Sequence, residues 1–217
     1  MIDGLLPETV AAEEIFGDDT RAYLLPEEQH LIASAVESRR RDVTHARTCA
    51  RRALSRLGVA EVPILRGERG EPYWPEGVVG SITHTRDYCA AAVASSRRVR
   101  SVGIDAELHD ALPDGVLDYV AVPEERAWLK ELGSGSICWD RLLFSAKESI
   151  YKAWYPLTGR WLGFEDASVT VDPSSGTFQA RLLVDGTTLD GAPLSSFAGA
   201  FLVSRGFVLT SVTVPPM

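Results

Sequence analysis

Apolar residues along this chain follow two periodicities, with a change near residue 156. Leu31, Ile32, Ala35 and Val36 recur at helical spacing, and Val43, Ala46, Ala50, Ala53, Leu54 and Leu57 continue the stripe. The spacing predicts a helix over 26–57, with Pro26, Glu27 and Glu28 suited to its first turn and Gly58 to its end. Asp42-Val43-Thr44 is a break or a cap within it. Residues 59–80, rich in Gly and Pro, read as loop. Tyr88–Ser95 and Val99–Asp105 are apolar and β-prone, and the short link Ser96-Arg97-Arg98 predicts a hairpin. Asp110–Gly115 reads as a turn, Pro123–Leu132 as a short helix and Trp139–Tyr155 as a longer one. After Pro156 the pattern predicts strands near 167–172, 177–184, 197–204 and 207–214. The fold class is α+β, mostly antiparallel, without a fixed-period repeat. A boundary at residue 101 would give halves 1–101 and 102–217.

Composition narrows the function classes. The 217 residues are 45% hydrophobic and 24% charged, ordinary for a soluble globular chain. No apolar run approaches the ~18 residues of a membrane span. The acidic N-terminus does not read as a secretory leader. The three cysteines, Cys49, Cys89 and Cys138, form no CxxC pair, so a reducing cytoplasm is expected. The net charge of −8 argues against nonspecific nucleic-acid binding. Charge is uneven, however: residues 37–69 carry nine arginines against four acids. That zone is either a solvated helix face or the site of a specific anionic ligand.

Candidate chemistry lies in two short runs. In Val102-Gly103-Ile104-Asp105-Ala106-Glu107, read as extended, Asp105 and Glu107 share a face. Two carboxylates on one face repel unless a cation sits between them. Their oxygens suit magnesium, which takes one or two carboxylates plus phosphate oxygens. Gly103, on that face too, is expected to leave room for a ligand. Read alone, the pair is more often just solvated. The second run, Phe144-Ser145-Ala146-Lys147-Glu148-Ser149-Ile150-Tyr151-Lys152, falls on the predicted helix 139–155. Leu143, Ala146, Ile150 and Ala153 form an apolar stripe, with Arg141, Ser145, Glu148 and Lys152 on another face. An isolated Glu148–Lys152 pair would be an ordinary surface contact.

The two runs in this order, GIDxE and then F[SC]xKExxYK, resemble the signature of the larger, surfactin- and enterobactin-type 4'-phosphopantetheinyl transferases, with actinobacterial members near. Gly80-Ser81-Ile82-Thr83-His84-Thr85, Arg69-Gly70-Glu71-Pro72 and Trp161-Leu162-Gly163-Phe164-Glu165-Asp166 are similar to further segments of that family. The resemblance is clear over residues 35–170. It implies a pseudo-dimer of two similar α/β halves, each a small mostly antiparallel sheet on a helix, with coenzyme A as substrate between them. It also implies Mg2+, or Mn2+, held by Asp105, Glu107 and Glu148, and acyl or peptidyl carrier proteins as partners. Glu148 would serve as general base, with Asp105 and Lys152 completing the catalytic set. Lys147 and Lys152 would neutralise phosphate oxygens. Arg39, Arg47, Arg66, Arg69, Thr83 and His84 would bind coenzyme A around its 3'-phosphate, arginine being suited to bidentate phosphate contacts.

Several positions depart from the pattern. Arg66 and Arg69 stand where many relatives have lysine, Thr83 replaces a common serine, and Ala106 cannot ligate metal. Arg40, Arg41, Arg51, Arg52 and Arg56 match nothing and read as plain surface. Val116, Leu117, Tyr119 and Val120 are either carrier-docking anchors or core. A pseudo-dimeric chain of this kind is expected to work as a monomer, away from membranes. Two rival readings remain: a regulatory coenzyme A-binding module, and a magnesium-dependent phosphohydrolase. A serine hydrolase is disfavoured because no GxSxG elbow is present.

Overall fold

The computed structural model describes residues 1–133 and 135–216. Strand β1 (Val10–Phe16) is followed by a 3-10 helix over Pro26–Ile32, helix α1 (Glu37–Arg56), β2 (Val78–Thr85), β3 (Tyr88–Ser95) and β4 (Ser101–Leu108). Helices α2 (Val116–Val120), α3 (Pro123–Leu132) and α4 (Trp139–Thr158) come next. Strands β5 (Ala167–Asp172), β6 (Thr177–Leu182), β7 (Ser196–Ser204) and β8 (Phe207–Val214) complete the chain. They make a three-stranded antiparallel sheet, β1-β3-β2, and a five-stranded one, β4-β8-β7-β6-β5. The α+β, two-half architecture is as the sequence implies.

Core packing explains the apolar runs. The side chains of β3 alternate: Cys89, Ala91 and Val93 pack on Cys49, Ala50 and Leu54 of α1. Tyr88, Ala90, Ala92 and Ala94 meet Ile104, Ala106 and Leu209 of the larger sheet. Both faces of β3 are therefore buried, and its small residues let the sheets approach. The stripe Leu143, Ala146, Ile150 and Ala153 of α4 packs on Val169, Phe178, Val208 and Val212.

Four expectations need correction. The hairpin of 88–95 with 99–105 does not form, because β1 and β2 take both edges of β3 and β4 pairs with β8 in the other sheet. The helix over 26–57 is broken: a 3-10 turn ends at Ile32 and α1 starts at Glu37. Within the first piece the Glu28 carboxylate is fully buried, held by Arg51 and the Ile64 N–H rather than facing water. Strand β2 begins at Val78, inside the segment read as loop, and β1 had no sequence signal read for it. Helix α4 runs through Pro156 to Thr158, where the Thr158 hydroxyl and the Gly159 N–H satisfy the carbonyls of Trp154 and Tyr155.

Hydrogen bonds reveal an internal repeat that links the two halves. Leu25-Pro26-Glu27-Glu28 and Val122-Pro123-Glu124-Glu125 form the same motif in the two halves. Each terminal glutamate is fully buried and caps its own turn, Glu28 at the Leu25 N–H (2.9 Å) and Glu125 at the Val122 N–H (2.8 Å). Each accepts a second N–H from distant chain, Ile64 (2.8 Å) and Val169 (2.7 Å). Each also pairs with a cation of the long helix, Arg51 (2.6 Å) and Lys147 (2.7 Å). That cation in turn binds a carbonyl five residues before the glutamate, of Tyr23 and Val120.

Gly103 does not make room for a ligand. A Cβ there would stand 1.9 Å from Ser149 O and 2.8 Å from Ala153 N, so glycine lets α4 lie against β4. Gly103→Ala is expected to cost about 1–3 kcal/mol through overpacking, read as a lowered urea midpoint. An unchanged midpoint would refute the close approach. Among the described residues no helix is long and apolar enough to cross a membrane.

Candidate active site

β4 and α4 bring the two signature runs together. Asp105, 4% exposed, receives Lys152 Nζ on Oδ1 at 2.8 Å, and the same ammonium donates to Ile104 O at 3.0 Å. A lysine has three donors, so one of Lys152's remains for a ligand. Asp105 Oδ2 is buried with no hydrogen-bond partner among the described residues. Glu107 lies beside it, held by Arg141 at 3.0 Å. Burial first, and the Asp105 charge second, push the Glu107 carboxyl up to about 7 despite Arg141 and Lys152. Glu148 is half-buried, and desolvation followed by Asp105 raises its pKa against the pull of Lys152.

These carboxylates do not form a ready-made cage. Among the described residues no three Asp, Glu, His or Cys side chains gather closely enough to hold a metal ion. Protein cations hold two of the three expected ligands: Lys152 meets Asp105 Oδ1 and Arg141 meets Glu107. The donor set still fits a hard divalent cation, because hard oxygens predominate, one buried oxygen is orphaned, and burial first, then the neighbouring Asp105 charge, raises the Glu107 and Glu148 carboxyl pKa values.

Three recesses join into one cleft across the boundary between the sheets. The first is lined by Arg39, Arg47, Arg66, His84 and the apolar Leu31, Val43 and Ala46. Gly70, Pro72 and Ile82 are shared with the second, which holds Arg69, Trp74, Ser81, Glu148, Tyr151 and Lys152. Glu148 and Tyr151 are in turn shared with the third, a slot walled by Ile150, Trp161, Leu162, Gly163 and Phe164. Arg39 Nη1 lies 2.9 Å from His84 Nε2. Desolvation, the largest cause, lowers the His84 pKa, so the ring accepts that bond in its neutral form. Arg47 is buried, with Nε donating to Ile64 O at 2.6 Å and its terminal nitrogens left toward the recess. Since Glu28 holds the Ile64 N–H, two buried side chains anchor the chain that leads into the Arg66–Pro72 loop.

Not every expected residue reaches the cleft in its expected manner. The Lys147 ammonium is buried and its three donors meet Glu125 (2.7 Å), Val120 O (2.8 Å) and Phe164 O (2.6 Å). None remains for a phosphate, so only its stem lines the slot. Thr83 is 2% exposed and its hydroxyl is used within the protein. Ser145 faces the core, 3.0 Å from Thr210 Oγ1, rather than sharing an open face with Glu148. Arg51 is not surface but buried against Glu28. Of the apolar segment 116–120, Val120 is core and Tyr119 is 83% exposed. Arg66 and Arg69 separate, into the first recess and the second. Sequence reasoning missed Tyr151 and Trp161 as cleft walls and the Arg141 contact with Glu107. Tyr151 stands inside the motif itself, and its ring lies 4.9 Å from that of Trp161.

Similarity to known proteins extends over both halves of the chain. Residues 27–94 match the 4'-phosphopantetheinyl transferase N-terminal domain, and residues 101–196 match the 4'-phosphopantetheinyl transferase superfamily. The chain is 53% identical to the 4'-phosphopantetheinyl transferase Npt of Nocardia iowensis, over 98% of this chain and 99% of the relative. It is 49% identical to PptT of Mycobacterium tuberculosis (99% and 98% covered) and 48% identical to Svp of Streptomyces mobaraensis (99% and 89% covered), both likewise 4'-phosphopantetheinyl transferases. With family matches in both halves and relatives near half identity over almost its whole length, the chain belongs to the 4'-phosphopantetheinyl transferases, enzymes that move phosphopantetheine from coenzyme A to carrier proteins.

Proposed function

We propose that this chain converts apo acyl or peptidyl carrier proteins to their holo forms, with coenzyme A laid along the three-part cleft. The continuity of the recesses carries this reading: a linear ligand with a phosphate at one end, a pyrophosphate in the middle and a neutral arm at the other matches their lining. Arg39, Arg47, Arg66 and His84 receive the 3'-phosphate and adenosine. Arg69 and the free donor of Lys152 meet the pyrophosphate. The slot beside Trp161 and Leu162 takes the pantetheine arm. In this reading residues 1–101 supply the arginine recess and 102–217 the carboxylates.

In the reaction Glu148 takes the proton from the carrier serine hydroxyl, whose oxygen attacks the β-phosphorus, and 3',5'-ADP leaves. Its raised pKa suits a base working near neutral pH. The Lys152 ammonium, placed beside Asp105, offsets charge on the departing phosphate. Asp105, Glu107 and Glu148 would hold Mg2+, or Mn2+, which when bound supplies charge neutralisation at the pyrophosphate oxygens. Positioning and electrostatics then account for most of the rate. Since one chain supplies both walls of the cleft, a cytoplasmic monomer is the working form proposed, without nucleic acid or membrane.

Intact-mass spectrometry of an apo carrier incubated with coenzyme A, Mg2+ and the protein tests this. A gain of one phosphopantetheine on the carrier serine is expected. Cleavage of coenzyme A with the carrier unmodified would point instead to a phosphohydrolase.

His84 gives the reading a pH signature. Its pKa is depressed in the free protein, and a phosphate dianion beside it raises that pKa. Coenzyme A binding therefore takes up a proton, and affinity rises as pH falls from 8 toward 6. Calorimetry in buffers of different ionisation enthalpy should detect this uptake, and it should vanish in His84→Ala. Uptake of the same size in the variant would remove His84 from the phosphate.

A further inference from the structure

β4 is an edge strand. β8 takes one of its edges, and the other faces β2 with no backbone ladder between them. Two hydroxyls from alternate residues of β2 stand in for that ladder. Ser81 Oγ accepts the Ile104 N–H at 3.1 Å, and Thr83 Oγ1 accepts the Ala106 N–H at 3.0 Å. A threonine hydroxyl has one proton to give. That of Thr83 is directed to Asp105 Oδ1, 3.3 Å away. Lys152 Nζ reaches the same oxygen. Both hydrogen bonds thus converge on Oδ1, while Oδ2 stays buried and unpartnered. An unpaired buried carboxylate oxygen is costly, so its orientation has to be imposed by its surroundings.

We propose that Thr83 is a positioning residue for Asp105. From the half that carries the arginine recess, it locks the Asp105 carboxylate with Oδ2 presented to the divalent cation. Its neighbour His84 points to the other face of β2, toward Arg39, so consecutive residues serve the cation site and the 3'-phosphate recess. Thr83 therefore acts through Asp105 rather than by touching coenzyme A. The assignment rests on the transferase reading above, since the cation it serves belongs to that reaction.

The test is titration of the full-length protein with Mn2+ alone, followed by electron paramagnetic resonance, with transfer kinetics in parallel. Thr83→Val keeps the shape and removes the hydroxyl, whereas Thr83→Ser retains it. Thr83→Val is expected to weaken Mn2+ binding about 10–100-fold and to lower kcat, with KM for coenzyme A held within about threefold, and Thr83→Ser should restore both quantities. The proposal is overturned if wild type and Thr83→Val bind Mn2+ alike, if the serine variant fails to rescue, or if KM for coenzyme A rises with kcat unchanged. The Mn2+ comparison needs no transfer, so failure of wild type to modify any carrier would sink the transferase reading separately.

Discussion

Glu148→Gln is expected to lower kcat for carrier modification by about 10²–10⁴-fold, the range for loss of a general base. The substitution is nearly isosteric, and it removes the proton acceptor from the junction where the second recess meets the apolar slot. Desolvation and Asp105 hold the wild-type carboxyl above its ordinary value, which places its basicity nearer the working pH. In the proposed placement the adenosine end of the substrate occupies the first recess, which Glu148 does not line, so affinity for 3',5'-ADP should stay within about threefold. Single-turnover transfer with intact-mass detection, beside calorimetry with 3',5'-ADP, separates the two quantities. A variant within tenfold of wild type in kcat would require another group to take the serine proton.

The second large effect concerns stability. Lys147→Met should destabilise the fold by about 3–5 kcal/mol, the cost of leaving one partner of a buried pair uncompensated. Glu125 is fully buried, and without Lys147 it keeps only the N–H groups of Val122 and Val169. Desolvation already raises the Glu125 pKa, and loss of the ammonium raises it further. A carboxyl whose folded pKa lies above its unfolded value contributes stability below the unfolded pKa and loses it as pH rises through the folded one. The variant's deficit is therefore larger at pH 8 than at pH 5, which paired urea titrations would reveal. Affinity for 3',5'-ADP, measured well below the melting temperature, should not change. If the variant is as stable as wild type but binds 3',5'-ADP poorly, Lys147 meets phosphate and the buried pin is wrong.

The internal repeat sets the two halves apart at the position of Glu148. Arg51 stands to Glu28 as Lys147 stands to Glu125, so the residue after each cation is comparable between the halves. In the second half that residue is Glu148. In the first it is Arg52, which pairs with Asp19 at 2.7 Å. The first half thus keeps the supporting ion pair and has no base at the matching place.

Local patterning was enough for the elements whose pattern reflects one local cause. The stripe of α4, the short helix α3 and the four C-terminal strands all follow from side-chain periodicity and turn residues within a few positions. So did the resemblance to the transferases, because Asp105, Glu107, Glu148 and Lys152 lie in two short runs whose residue types and order are distinctive. Tertiary structure decided what depends on long-range partners. Whether β4 would pair with β3 or β8 turned on which strand edges were already taken. Whether the Glu28 carboxylate faced water or the interior turned on its partners Ile64 and Arg51. Gly103 and Lys147 carry the same identities in either role, ligand-facing or structural. Only the approach of the α4 backbone to one, and of three oxygens to the other, assigned them to the scaffold.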